Sequence, residues 1–383
     1  MGKDAANTPF NFFQYFDSFN KAEIDNFISS SLKQNPTYHF LAFVAENNVE
    51  TIPQLQELFA GYDVDLIGAV FPELIVDANF IQQGIIVFAI KKSAHILVDE
   101  IPHDNISVKS KANDFSSKLE SHLNSDSTYG LFMIFDAMLP NIATILDETF
   151  LIFGDEVNYM GVNAGSETFQ PIPCLFDKDK IVGNAMLAIL MNSDKPAELE
   201  HGYKVPDETI VATSTDSNCI SSIDWKPAFE TYREKIMQYY QVEINNENFY
   251  ELAVHFPFGI IRADDEILVR IPVMLDDNEY LYCVGEIPEN SILTLLESPT
   301  EGSTDTINNL SAKQSANTQN LIFYCAGRKM HLKEGAEQEL NGFYNQIESG
   351  NYAGALTLGE IGSVNRGSYP LFHNATLVTI SVN

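Results

Sequence analysis

The sequence predicts a mixed α/β (α+β) fold of layered β-sheets covered by helices, in two related halves that carry internal strand–helix–strand repeats. Three observations predict it. The 383 residues are 45% hydrophobic and include 26 Phe and 16 Tyr, enough apolar chain to bury a sizeable core. Apolar runs of strand length alternate with amphipathic stretches, the pattern of sheets with helices packed on them. One succession of elements also occurs three times, which points to a repeated unit.

Residues 1–37 read as an N-terminal extension. The first unit then runs as a buried strand at HFLAFVAEN (His39 to Asn47), the helical IPQLQELFAGY, a glycine-bearing strand LIGAVFPELI (Leu66 to Ile75) and a closing strand GIIVFAI (Gly84 to Ile90). The second runs from Gly130 as GLFMIFDAM, NIATILDETFLIFG, YMGVNAGSETF (Tyr159 to Phe169) and VGNAMLAILM (Val182 to Met191). The third runs from Asn320 as NLIFYCAGR, GAEQELNGFYNQIESG, YAGALTLGEIG (Tyr352 to Gly362) and HNATLVTISV (His373 to Val382). Glycine and glutamate are six apart in the second and third units (Gly161 and Glu167, Gly354 and Glu360). They are five apart in the first (Gly68 and Glu73), as if that copy had lost a residue.

Between the second and third units the pattern changes. Ile210 to Ile223 is β-branched with turn signals, PAFETYREKIMQYY (Pro227 to Tyr240) has helical spacing behind a proline start, and IIRADDEILVRIPVML and NEYLYCVGEI alternate like hairpin strands. The polar stretches Asn105 to Ser127 and Ser298 to Gln319 fit exposed helices or long loops. No Gly-rich strand opens a helix as G-x-G-x-x-G, so the glycines mark close packing or close ligand approach rather than a dinucleotide loop.

Charge excludes other classes. With 22 Lys and Arg against 53 Asp and Glu, the formal charge is -31, which repels phosphate backbones and anionic lipid, so neither nucleic acid nor membrane is an expected partner. The four Cys (174, 219, 283 and 325) never form a C-x-x-C pair, which argues against a zinc ribbon and suits a reducing cytoplasm. The N-terminus shows neither a signal peptide nor a myristoylation pattern, and no apolar run approaches the roughly 18 residues a membrane span needs. A cytoplasmic location is the expectation.

IFYCAGRKM, GALTLGEIG and LFHNATLVTISV, in that order, resemble the C-terminal half of FIST domain proteins, as do IDWKPAFETYREKI, HFPFGII, LVRIPVML and YLYCVGEIPENSILTL upstream. LIGAVFPELI, GVNAGSETFQ and GNAMLAILM are similar to the N-terminal half. The resemblance divides the chain into residues 38–200 and 201–383 and departs from the family at Phe71 and Pro72, which precede Glu73 at shortened spacing. It implies a bacterial signal-input module that binds a small ligand and signals to an output protein such as a histidine kinase, a chemoreceptor or a cyclic-dinucleotide enzyme. Because it occupies nearly the whole chain, the output is expected in trans. Some bacterial members bind haem and sense nitric oxide, which makes haem a candidate cofactor.

The candidate ligand-binding residues are Arg328, Glu360, His373, Tyr324 and Cys325. Arg328 follows small residues at a strand end, where its guanidinium could clamp a carboxylate; the competing role is an ion pair with Glu360. Glu360 is flanked by Gly359 and Gly362. For haem, His373 and His331 lie nearest these motifs, with His39 and His201 as further imidazoles and Cys325 as a thiolate. No H-E-x-x-H, G-x-S-x-G or P-loop is present, so an enzyme is not expected. A scaffold without ligand would keep the same fold around a filled core. The ligand reading places a small-molecule site between or beside the two halves.

Overall fold

Three stretches of the chain build the same unit, and each lends a hairpin to a neighbour. The computed structural model describes residues 12–91, 95–102, 105–124, 127–262, 266–299, 304–314, 319–347, 351–363 and 365–382. The first unit comprises β1 (Phe13–Phe16), α1 (Lys21–Gln34), β2 (Tyr38–Ala45), α2 (Ile52–Phe59), β3 (Leu66–Phe71), the hairpin β4 (Leu74–Val76) and β5 (Asn79–Ile81), and β6 (Ile85–Lys91). The second comprises β7 (His95–Glu100), α3 (Asn105–Glu120), β8 (Tyr129–Asp136), α4 (Ile142–Phe153), β9 (Val157–Ala164), the hairpin β10 (Leu175–Asp177) and β11 (Ile181–Val182), and β12 (Ala185–Asn192).

The third unit opens with β13 (Glu198–Glu200) and is then interrupted by an insert. The insert holds β14 (Ile210–Asp216), β15 (Cys219–Ile223), β16 (Lys226–Pro227), α5 (Ala228–Tyr240), α6 (Phe249–Ala253), β17 (Phe258–Ile261), β18 (Ile267–Arg270), β19 (Pro272–Leu275), β20 (Leu281–Cys283) and β21 (Ile292–Leu295). The unit resumes with α7 (Asp305–Lys313), β22 (Gln319–Cys325), α8 (Ala326–Leu332), α9 (Glu334–Gln346), β23 (Asn351–Thr357), the hairpin β24 (Glu360–Gly362) and β25 (Leu371–His373), and β26 (Leu377–Ser381).

The three six-stranded sheets run β1-β6-β2-β3-β10-β11, β7-β12-β8-β9-β24-β25 and β13-β26-β22-β23-β4-β5. In each, the central strand (β2, β8 or β22) and the glycine strand (β3, β9 or β23) are parallel, joined by a helical crossover, and the closing strand is antiparallel to the central one. The last two strands come from another unit: the first unit's hairpin completes the third sheet, the second unit's completes the first, and the third unit's completes the second. The exchange closes on itself and covers one edge of every glycine strand. Insert strands β14–β21 form the separate eight-stranded sheet.

Gly68, Gly161 and Gly354 occupy one equivalent position. Their parallel partners are Ala42, Met133 and Ile322, and on each a Cβ would lie within 2.4 Å of that partner's carbonyl oxygen. The glycines are there because the strands approach too closely for a side chain. All three lie in buried strands, as the repeat requires. The inner faces of the three sheets meet in one core, where Phe323 packs against Phe43, Phe71 and Phe132 with ring centroids 5.8, 6.4 and 6.0 Å apart.

The layered mixed sheets and the repeats of the sequence reading are thus present. Residues 13–34, set apart in sequence as an extension, supply β1 and α1, whereas residues 1–11 lie outside the described residues. The two polar stretches contain α3 and α7; within them residues 125–126, 300–303 and 315–318 lie outside the described residues.

Candidate functional site

The turn from β22 into α8 carries Cys325, Ala326, Gly327 and Arg328 over small residues. A Cβ on Gly327 would lie 2.4 Å from the Ile271 side chain of the insert, so the missing side chain lets the insert seat on the third unit. Arg328 projects into the interior from α8 and is fully buried. Its expected alternative partner was Glu360, but its carboxylate partner is Glu339 on α9: Nε donates to Oε2 at 2.8 Å and an Nη2 proton to Oε1 at 2.6 Å. Nη2 also donates to Thr306 Oγ1 at 2.9 Å, and Nη1 to the carbonyls of Ala375 (3.2 Å) and His201. All five donors are therefore spent inside the protein. Burial opposes the charge, but Glu339 outweighs it and holds the guanidinium above its ordinary pKa. Tyr324 joins the network by donating to Glu339 Oε2 at 2.6 Å, and burial keeps its phenol protonated.

Glu360 forms a second buried cluster. Thr357 and Thr376 hydroxyls each donate to its carboxylate at 2.5 Å. Burial raises its pKa to about 7, with these hydroxyls and the Cys325 thiol opposing the rise. Burial and the nearby Glu360 keep Cys325 a thiol. Both clusters hold one turn: Cys325 Sγ accepts the Ala375 N–H at 3.1 Å, Arg328 holds the Ala375 carbonyl, and the Cys325 N–H donates to the Thr376 carbonyl at 3.0 Å. Ala375 there takes φ +56°, the left-handed region.

That turn presents Asn374 to a cleft. One lobe of the cleft, about 540 Å³ with its mouth included, is lined by Cys325, Ala326 and Gly327 of the third unit, Phe169 of the second unit, and Ile271 and Val273 of the insert, among others. A second lobe, about 760 Å³ with its open mouth included, shares Phe169, Val273 and Val284 and continues to Asn163, Glu286 and the loop before α4. Asn374 lines the first lobe with neither amide atom bonded within the protein, and Asn163 in the second has a buried Oδ1 without a partner.

Among the residues expected at a ligand site, Cys325 lines the cleft, Arg328, Tyr324 and Glu360 stand behind its wall, and His373 is the chain neighbour of Asn374. Sequence reasoning named the motifs but missed Asn374 and Phe169. The available signal was the Asn inside His-Asn-x-Thr itself.

The histidines stand outside the cleft walls. His373 lies opposite Glu360 on the adjacent strand; its Nε2 is 3.8 Å from Glu266, too far to bond, and burial, then Arg270, pushes its pKa down to about 3. His331 sits over a different, open depression with its Nδ1 2.7 Å from Nδ1 of His255 and its Nε2 3.1 Å from the Pro299 carbonyl. His39 pairs with Asp65 at 3.0 Å, and His201 Nδ1 accepts the Tyr203 N–H at 3.0 Å. A haem needs an imidazole nitrogen free to face it across an apolar slot. These residues do not fit that group.

Glu73, the glutamate at shortened spacing, pairs with Lys329 and accepts from Gln82 at 3.1 Å, tying the first unit's hairpin to α8. No helix among the described residues is long and apolar enough to cross a membrane.

Two family models match the chain. The FIST N domain covers residues 40–226 and the FIST C domain covers residues 228–363. No curated protein matches it.

Proposed function

The chain belongs to the FIST family of signal-transduction sensory domains, and on that premise we propose that it is a non-catalytic sensor whose cleft binds a small molecule and whose output lies in a separate signalling protein. The observation that carries this reading is the cleft itself. It has an apolar wall, a few converging polar groups, and contributions from the second unit, the third unit and the insert, features typical of small-molecule sites.

A ligand seated between Val273 and Val284 of the insert and Phe169 and Ala326 of the repeat units would bias how the insert sits on them, the differential contact that a sensor requires. A change there can reach a partner through the insert surface. A histidine kinase, a chemoreceptor or a cyclic-dinucleotide enzyme fits this scheme as output. The histidine geometry favours an organic ligand over haem.

A thermal-shift screen of neutral metabolites tests the reading, run on the wild type and on Val273→Trp, whose indole would intrude where the two lobes meet. The expected result is stabilisation of the wild type by one chemical series and loss of that response in the variant. No hit, or hits equal in both proteins, contradicts it.

A further inference from the structure

The polar groups of the cleft restrict what it accepts. Asn374 is 1% exposed, and both Nδ2 and Oδ1 lack a partner within the protein. An unmade hydrogen bond at a buried polar group is destabilising, so a site that needed only bulk would be better filled by Leu. The turn cannot relax to satisfy this amide, because Cys325, Arg328 and Glu360 fix the residues immediately after it. Asn374 lines the cleft, so a molecule seated there is placed beside the amide.

Charge narrows the choice. Glu167 and Glu286 stand in the walls and no Lys or Arg does. An anion would find no cation there to pair with and would meet repulsion from either carboxyl in its ionised form. Arg270 lies behind the wall and gives hydrogen bonds to the carbonyls of Val269, Glu286 and Phe372, at 2.9–3.0 Å. The rest of the first lobe is largely aliphatic and aromatic.

We propose that the cleft takes an uncharged, mostly apolar molecule bearing a lactam-type edge, one N–H donor beside one C=O acceptor, which pairs with the side-chain amide of Asn374. This rests on the ligand-binding reading above and adds the ligand's chemistry to it. Two mutual bonds, N–H to Oδ1 and Nδ2–H to C=O, satisfy both partners whichever way the amide is turned.

The test is calorimetric titration of the intact chain with oxindole, 1-methyloxindole, which lacks the N–H, and indane, which lacks the amide. Oxindole is expected to bind the wild type about tenfold tighter than 1-methyloxindole, the loss typical of one buried donor left unmade. Asn374→Leu should erase that preference while retaining the weaker binding of indane. Asn374→Ser serves as the second variant if the leucine protein does not fold.

Equal affinity of the wild type for oxindole and 1-methyloxindole overturns the proposal, as does a preference that survives at position 374 variants or the failure of oxindole to bind. If all three bind alike and Val273→Trp abolishes binding of each, the cleft remains a ligand site and only the lactam edge falls.

Discussion

Arg328 and Glu339 show how a buried ion pair is made tolerable: two charge-assisted bonds join them, and every remaining guanidinium proton meets an oxygen. Arg328→Met leaves the Glu339 carboxylate buried without its cation. A loss of about 3–5 kcal/mol is expected, read as a lower urea midpoint at unchanged slope. Glu360 gives the opposite pH signature to an ion-paired acid. Its folded pKa of about 7 lies above its ordinary 4.5, so the folded state holds the extra proton between these values. Stability from this group is full below pH 4.5 and falls as pH rises to about 7, by roughly 3 kcal/mol. Glu360→Gln should flatten that decline in denaturation series between pH 5 and 8; an unchanged slope contradicts the assignment. Tyr324, Cys325, Arg328, Thr357, Glu360 and Thr376 were legible as motif members, but Glu339 and Thr306 were not, nor was the pairing. Glu339 is eleven residues from Arg328 on the following helix, and nothing in spacing ranks it above Glu360. Asn374 was hidden because lacking a partner is a property of surroundings drawn from distant parts of the chain.

At the scale of elements, the strand–helix–glycine-strand succession was legible because both strands are long, fully buried and apolar, and because a close parallel pair leaves glycine in the sequence. The hairpin exchange was not. Strands β4, β10 and β24 are three residues each, and such a segment carries too little pattern to say which sheet edge it joins. The insert was visible as a change of pattern, and its helix was placed correctly after Pro227, but short alternating strands did not reveal a sheet of its own. Gly354 offers the sharpest test at this scale, since a Cβ there would sit 1.7 Å from the Ile322 carbonyl oxygen and backbone cannot step aside cheaply. Gly354→Ala is expected to cost about 3 kcal/mol or more, or to yield no folded protein. Gly183→Ala, whose Cβ has ordinary contacts at 3.4–3.5 Å, should change stability by less than about 1 kcal/mol.

For the molecule as a whole, the cyclic exchange makes each sheet depend on another unit's hairpin. It also brings the second unit's Phe169 against the third unit's Cys-Ala-Gly turn, with the insert above both. The cleft is a product of that assembly and belongs to no single repeat, which is why no local stretch of sequence announces it. Its central role can be measured directly by native mass spectrometry of the freshly purified full chain beside Val273→Trp. A non-covalent adduct of small-molecule mass on the wild type, absent from the variant, is the result expected; a bare wild-type mass, or an adduct that persists in Val273→Trp, would contradict it.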